Sequence, residues 1–299
     1  MLDILSPIVP IFIVAASGYG LRQYTALDGQ TLSTLNVYLL MPVLVFDSLA
    51  EHHIEWDVYG RYVVASVLML AIMGCVLGLI TRLRRMKGAM YSAFMMTLFM
   101  NLGNFGLPVS KFAFGDEGLA LAVIVMVACT FFQNAFGLFF AHQGSHGTAK
   151  AMLQVLRFPL IYAFILALVF QYMEWELPVM LGRAVSLTAG ATIPMQLLIL
   201  GICIAETRLE TGPDVFIASG ARLVIGPVAG MGAAWLAGLE GLTAQVFILQ
   251  MSGPVAVTMA VYAVQFNVRP AYLASVVTWT FLLSFVSVSA VLWVLFRFY

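Results

Sequence analysis

Two short clusters hold much of the polar chemistry of an otherwise apolar chain. NLGNFGLP places Asn101, Gly103, Asn104, Gly106 and Pro108 within eight positions, and QMSGP places Gln250, Ser252, Gly253 and Pro254 within five. Neither holds a carboxylate, a histidine or a cysteine. Carboxamides and a hydroxyl bind by hydrogen bonds and do not titrate. Glycine weakens a helix by about 1 kcal/mol relative to alanine. Proline removes a donor, which at Pro108 leaves the carbonyl of Asn104 without its usual partner. A helix that restarts after such a break offers free N–H groups and a positive dipole end, and both attract an anion. The competing reading is a proline kink, with glycines letting packed helices approach closely. A matched pair of breaks favours the binding site.

Enzyme chemistry lacks its residues. Hydrolysis inside a membrane needs a nucleophile–base pair, an HExxH zinc motif or paired aspartates. The four histidines fall in polar stretches, and no two acids share a mid-depth position. Cys75, Cys129 and Cys203 are isolated in apolar segments and read as small buried hydrophobes, with neither disulfide nor metal spacing.

The elements that must position these clusters are membrane helices. The chain is 62% hydrophobic and 9% charged with no net charge, and its mean hydropathy is +1.00. Soluble domains carry about 25% charged residues. Continuously apolar runs exclude an alternating β-barrel, and zero net charge gives no sign of a nucleic-acid partner. The N-terminus MLDILSPIVPIF has no basic residue and reads as the first span rather than a cleaved signal. Ten spans are expected, at 4–22, 30–50, 58–81, 89–114, 118–141, 155–173, 180–204, 214–237, 242–266 and 271–297. Odd-numbered loops hold Arg22, then Arg82, Arg84, Arg85 and Lys87, then Lys150 and Arg157, then Arg208, then Arg269. Even-numbered loops hold mostly acids, so the odd loops are expected in the cytoplasm and both termini outside.

Five spans precede the longest loop and five follow it, which satisfies the condition for an inverted repeat of residues 1–141 and 155–299. Pro7 and Pro159 are 152 positions apart, as are Pro42 and Pro194. Spans 4 and 9 are then equivalent, and each carries one of the clusters. Aligning Pro108 with Pro254 gives an offset of 146, and aligning the polar centres, Asn101 with Val255, gives 154, which is nearer 152 and is preferred. Two interior helix starts would face one point from opposite directions, with Asn101, Asn104, Gln250 and Ser252 around it.

Other polar residues have plainer readings. Arg222, inside span 8, reads as a counter-charge to an organic anion or a clamp on the broken helix ends, against a structural pairing with carbonyl groups or snorkelling to the cytoplasmic face. Lys111 snorkels toward Asp116 and Glu117. Asp47 sits near the outer end of span 2 and reads as hydrated, with a proton-carrier role as the lesser alternative; the clusters contain no Asp or Glu, so coupling would use amides and carbonyls for a cation or a carboxylate elsewhere. His52 and His53 read as solvated, and Gln133 and Asn134 as lining the core or bonding between helices. Trp56, Trp175 and Trp235 read as interface anchors.

The span-4 cluster also carries a resemblance. NLGNFGLPVSK is similar to the span-4 signature of the auxin efflux carrier family, which includes plant PIN carriers and bacterial malonate- or malate-type transporters. IVPIFIVAASGYGLR, LNVYLLMPVLVF, ARLVIGPVAG and LQMSGPVAV followed by QFNVRP resemble its first, second, eighth and ninth spans. The resemblance implies an all-α fold of the bile-acid–sodium-symporter type, with ten spans in two inverted five-helix repeats and crossing, broken spans 4 and 9. It implies a scaffold from spans 1, 2, 6 and 7, a transport core from spans 3–5 and 8–10, elevator-like movement and a homodimer through the scaffold. Asn101 matches the family's crossover asparagine and Pro254 its span-9 proline. The plant carriers have a proline where this chain has Met100, so Gly103, Gly106 and Pro108 are expected to make the break. A short AHQGSHGTAK replaces the plant carriers' central loop, as in a compact bacterial member.

The expected function is secondary active or facilitative transport of a small organic anion, auxin- or dicarboxylate-like, across the cytoplasmic membrane. No cofactor is expected; sodium or proton coupling stays open. The alternatives are an ion-coupled symporter of bile-acid-like anions and a non-transporting receptor on a carrier fold.

Overall fold

A computed structural model describes residues 2–52, 54–142, 159–207 and 209–299. His53, Lys150, Arg157, Arg208 and the AHQGSHGTAK loop beyond His142 lie outside the described residues, as does the start of the sixth expected span. Among the described residues the chain is all-helical, with no strand and one isolated antiparallel bridge. The main helices are α1 (Val9–Tyr24), α2 (Gly29–Ala50), α3 (Trp56–Leu83), α4 (Gly88–Met96), α5 (Leu102–Ala141) and α6 (Pro159–Met173). They continue as α7 (Val179–Ala205), α8 (Pro213–Leu236), α9 (Gly241–Met251), α10 (Val257–Gln265) and α11 (Pro270–Phe298). Six of them, α2, α3, α5, α7, α8 and α11, are long and apolar enough to cross a membrane. The fourth and fifth expected spans share α5, which Gly115 interrupts with φ 71°.

Three helices widen into a π turn, at Asn36–Leu40, Leu102–Gly106 and Ala221–Ile225. Each turn ends two residues before a proline: Pro42, Pro108 or Pro227. A proline ring collides with the carbonyl four residues back. That carbonyl belongs to Tyr38, Asn104 or Leu223, each inside the π turn, where the wider coil relieves the contact. Such turns recur at functional sites.

Helices α1 and α7 cross at backbone distance. A methyl group on Gly201 would fall 1.9 Å from the Ala15 carbonyl oxygen, and one on Gly18 would fall 2.3 Å from that of Leu198. Arg22 Nε meets Glu206 Oε1 at 2.8 Å across the same helix pair. The Thr192 hydroxyl donates to the Leu40 carbonyl at 3.0 Å, tying α7 to α2. Lys111 pairs with Asp116, as its position in sequence suggested. Cys129 is buried, but Cys75 is exposed on the outer face of α3 rather than packed inside.

Candidate functional site

The two interrupted segments meet as a short antiparallel pair, with Met100 opposite Val255. Asn101 N donates to Pro254 O at 2.8 Å and Ala256 N donates to Phe99 O at 2.9 Å. A local two-fold rotation that exchanges residues 100 and 255 exchanges these two bonds, so Asn101 corresponds to Ala256, one residue on from the match its polarity suggested. Val255 N donates to Thr280 Oγ1 of α11 at 3.1 Å. Each gap thus satisfies the other's backbone, which an apolar interior requires.

The span-4 break lies at residues 97–101, ahead of the glycines and proline expected to cause it. Gly103 and Gly106 stand in the π turn, and Pro108 is the second residue of the helical stretch beyond it. Pro108 therefore lies inside α5, as its seventh residue, where the wider π turn takes up the ring. Gly106 has a packing role: a methyl there would lie 2.0 Å from Gln250 Oε1. In span 9, Ser252, Gly253 and Pro254 do occupy the gap between α9 and α10.

Four helix ends meet at this crossing. Helices α4 and α9 end there, and α5 and α10 begin there. Arg222, 0% exposed, serves the first pair. Its Nε donates to Gly253 O at 3.1 Å, its Nη1 donates to Leu98 O at 3.1 Å, and its Nη2 donates to Met251 O. The guanidinium thus clamps the broken helix ends and lies off the cavity wall. Carbonyl acceptors leave no trace in a sequence, so the two readings of Arg222 could only be separated by geometry.

The starts of α5 and α10 border a cavity of about 310 Å³. Asn101, Gly103 and Asn104 line it from one break, and Ala256, Val257 and Thr258 from the other. Asn101 is 6% exposed, and its Oδ1 accepts from Asn104 N at 3.1 Å. Its Nδ2 has no partner. Helix α2 adds Ser33, Asn36, Val37 and Met41, and the second half of α5 adds Met126, Thr130, Gln133 and Asn134. Asn134 is already engaged, donating to Thr130 O and accepting from Tyr262 OH. Among the described residues no Lys, Arg, His, Asp or Glu lines this cavity.

The remaining expected residues lie elsewhere. Gln250 is buried, with Nε2 donating to Ser110 Oγ at 3.4 Å and Oε1 unpartnered, and Ser252 Oγ donates to Ile248 O within its own helix. Neither these two nor Gly106, Pro108, Gly253, Pro254 and Arg222 line the cavity. Asp47 accepts from Ser186 Oγ at 2.8 Å, away from the crossing. Asn36, Ser33, Thr130, Thr258 and Thr280 escaped the sequence reading. Only Asn36 had a signal, a lone asparagine six positions before a mid-helix proline.

A profile described as "Membrane transport protein" matches residues 3–150 and 146–293. The chain belongs to this family. It is the auxin efflux carrier grouping that the span-4 and span-9 motifs resemble, so the protein is an integral membrane transporter by family. An uncharacterized transporter of Methanothermobacter thermautotrophicus is 26% identical over 94% of both chains. An uncharacterized transporter of Methanocaldococcus jannaschii is 23% identical over 95% of this chain and 96% of its own. A putative malonate transporter of Rhizobium meliloti is 24% identical over 99% of this chain and 97% of its own. Family members are membrane transporters, not enzymes.

Proposed function

We propose that the protein carries a small carboxylate across the cytoplasmic membrane, binding it in the cavity where the starts of α5 and α10 meet. One observation carries this reading: Asn101 Nδ2 is a buried donor with no partner on the wall of that cavity. An unpaired buried donor is costly by about 1–3 kcal/mol, and a ligand oxygen relieves it. The charge balance agrees. Each helix end is equivalent to about half an elementary charge. Two carbonyl ends sum to about −1 and are offset by Arg222, which leaves the two N-terminal ends, about +1, for an anion. The relative named as a putative malonate transporter is consistent with a carboxylate substrate.

The α4–α5 and α9–α10 pairs are read as broken spans 4 and 9 of ten, in two inverted repeats with both termini outside. The cavity then lies on the side of the basic loops, and the protein is inward-facing. A core of spans 3–5 and 8–10 moving against a scaffold of spans 1, 2, 6 and 7 would carry the site across. Sodium or proton coupling and a scaffold-mediated homodimer are part of this reading. The test is uptake of labelled malonate and of monocarboxylates into proteoliposomes. Wild type accumulates at least one of them saturably, whereas Asn101→Ala loses uptake while eluting as a folded protein. Uptake by the variant equal to wild type would refute the site.

A further inference from the structure

Asn36 stands in the π turn of α2, is 3% exposed and lines the same cavity as Asn101. Its Oδ1 has no partner. One unpartnered carboxamide donor, Asn101 Nδ2, and one unpartnered carboxamide acceptor, Asn36 Oδ1, on two different helices, therefore belong to residues that line one uncharged chamber. The Asn101 side lies at the helix starts, where the compensating charge is. The Asn36 side has none: among the described residues no charged side chain lines the cavity. Asp28 caps α2 through Gln30 N and Thr31 N, Asp47 accepts from Ser186, Glu206 pairs with Arg22 and Lys111 pairs with Asp116.

We propose that Asn36 is a specificity-determining residue that binds a second, neutral polar group of the substrate, so that the transported species is a monoanion. This rests on the carboxylate reading of the site. Fixed helix ends supply about one positive charge, enough for one carboxylate. A dianion would bring a second charge into a chamber walled by Val37, Met41, Leu102, Met126 and Leu160 with nothing to offset it. A hydroxyl, or the un-ionised carboxyl of a half-neutralised dicarboxylic acid, instead donates to the Asn36 carbonyl. A dicarboxylic acid is then taken as its hydrogen-dicarboxylate form, carrying its own proton.

The experiment compares ligand-induced thermal stabilisation of the purified full-length protein by malonate, monomethyl malonate, 3-hydroxypropionate and propionate at a series of pH values. Malonate affinity falls about tenfold for each pH unit above its second ionisation, because the competent fraction falls so. Monomethyl malonate and 3-hydroxypropionate, monoanions throughout, show no such fall. Asn36→Ala weakens 3-hydroxypropionate about two- to tenfold, the worth of one hydrogen bond, and leaves propionate unchanged. Because the Asn36 carbonyl is unpartnered, the ligand-free variant melts close to wild type, and the selective loss of 3-hydroxypropionate over propionate is what a purely structural role would not give. Malonate binding that strengthens with pH, or equal loss of propionate and 3-hydroxypropionate in Asn36→Ala, overturns the proposal while leaving a carboxylate site standing. Failure of all four acids to stabilise wild type at any pH overturns both.

Discussion

Replacing Arg222 by methionine separates a structural clamp from a substrate counter-charge. The guanidinium makes three hydrogen bonds to carbonyls at the ends of α4 and α9. Bonds from a charged donor contribute about 1.5–3 kcal/mol each, so the gross loss is roughly 5–9 kcal/mol. Methionine also removes the desolvation penalty of a buried charge, itself several kcal/mol. What survives the cancellation is the cost of carbonyls left without donors, about 1–3 kcal/mol each. For three carbonyls the expected net destabilisation is about 3–9 kcal/mol. Lysine keeps the charge but not the planar fork, so it should fall between wild type and methionine. The assay is thermal melting of the detergent-purified protein with no ligand present. A ligand-free Arg222→Met protein as stable as wild type, with carboxylate binding abolished, would refute the clamp and return Arg222 to the substrate.

Two further outcomes follow from local geometry. Gly106→Ala drives a methyl into the Gln250 carboxamide; the overpacking should destabilise by about 1–3 kcal/mol, and Gln250→Ala should restore much of the loss, read by melting of the double variant. Asp28, at the start of α2, accepts from the Thr31 hydroxyl and from Gln30 N and Thr31 N, in that order of effect, and these bonds hold its carboxyl below the ordinary 3.8. A lowered folded value stabilises above 3.8 and is lost as pH falls through it. Asp28→Ala should therefore melt below wild type at neutral pH, with the difference closing in acid.

Much of the site was legible because helix breakers in an apolar run have few explanations. Asn101 lines the cavity, and the two broken segments pair at Met100 and Val255. Side-chain direction was not legible. Gln250 and Ser252 lie at the end of α9, where side chains lean back along their own helix, so their polarity faces Ser110 and Ile248 rather than the cavity. The position of the first break was misjudged because its cause is not local. Residues 99–101 leave the helix and bond to Pro254 and Ala256, and no propensity at Gly103 or Pro108 encodes that. Asn36 was overlooked because one asparagine in LNVYLLMP looks like any tolerated polar residue until its neighbours are known.

The mutual pairing of the two breaks also sets a timetable. Residues 99–101 are synthesised 155 positions before their partners at residues 254–256. At about 5–20 residues per second, the first break waits roughly 8–30 seconds. Throughout that interval its amides and carbonyls have no native acceptor or donor. A nascent chain released into lipid at that stage would be exposed, so the early helices must be sheltered by the insertion machinery until the ninth segment emerges. Truncations that stop before residue 254 should then be cleared by membrane proteases rather than accumulate as half-carriers.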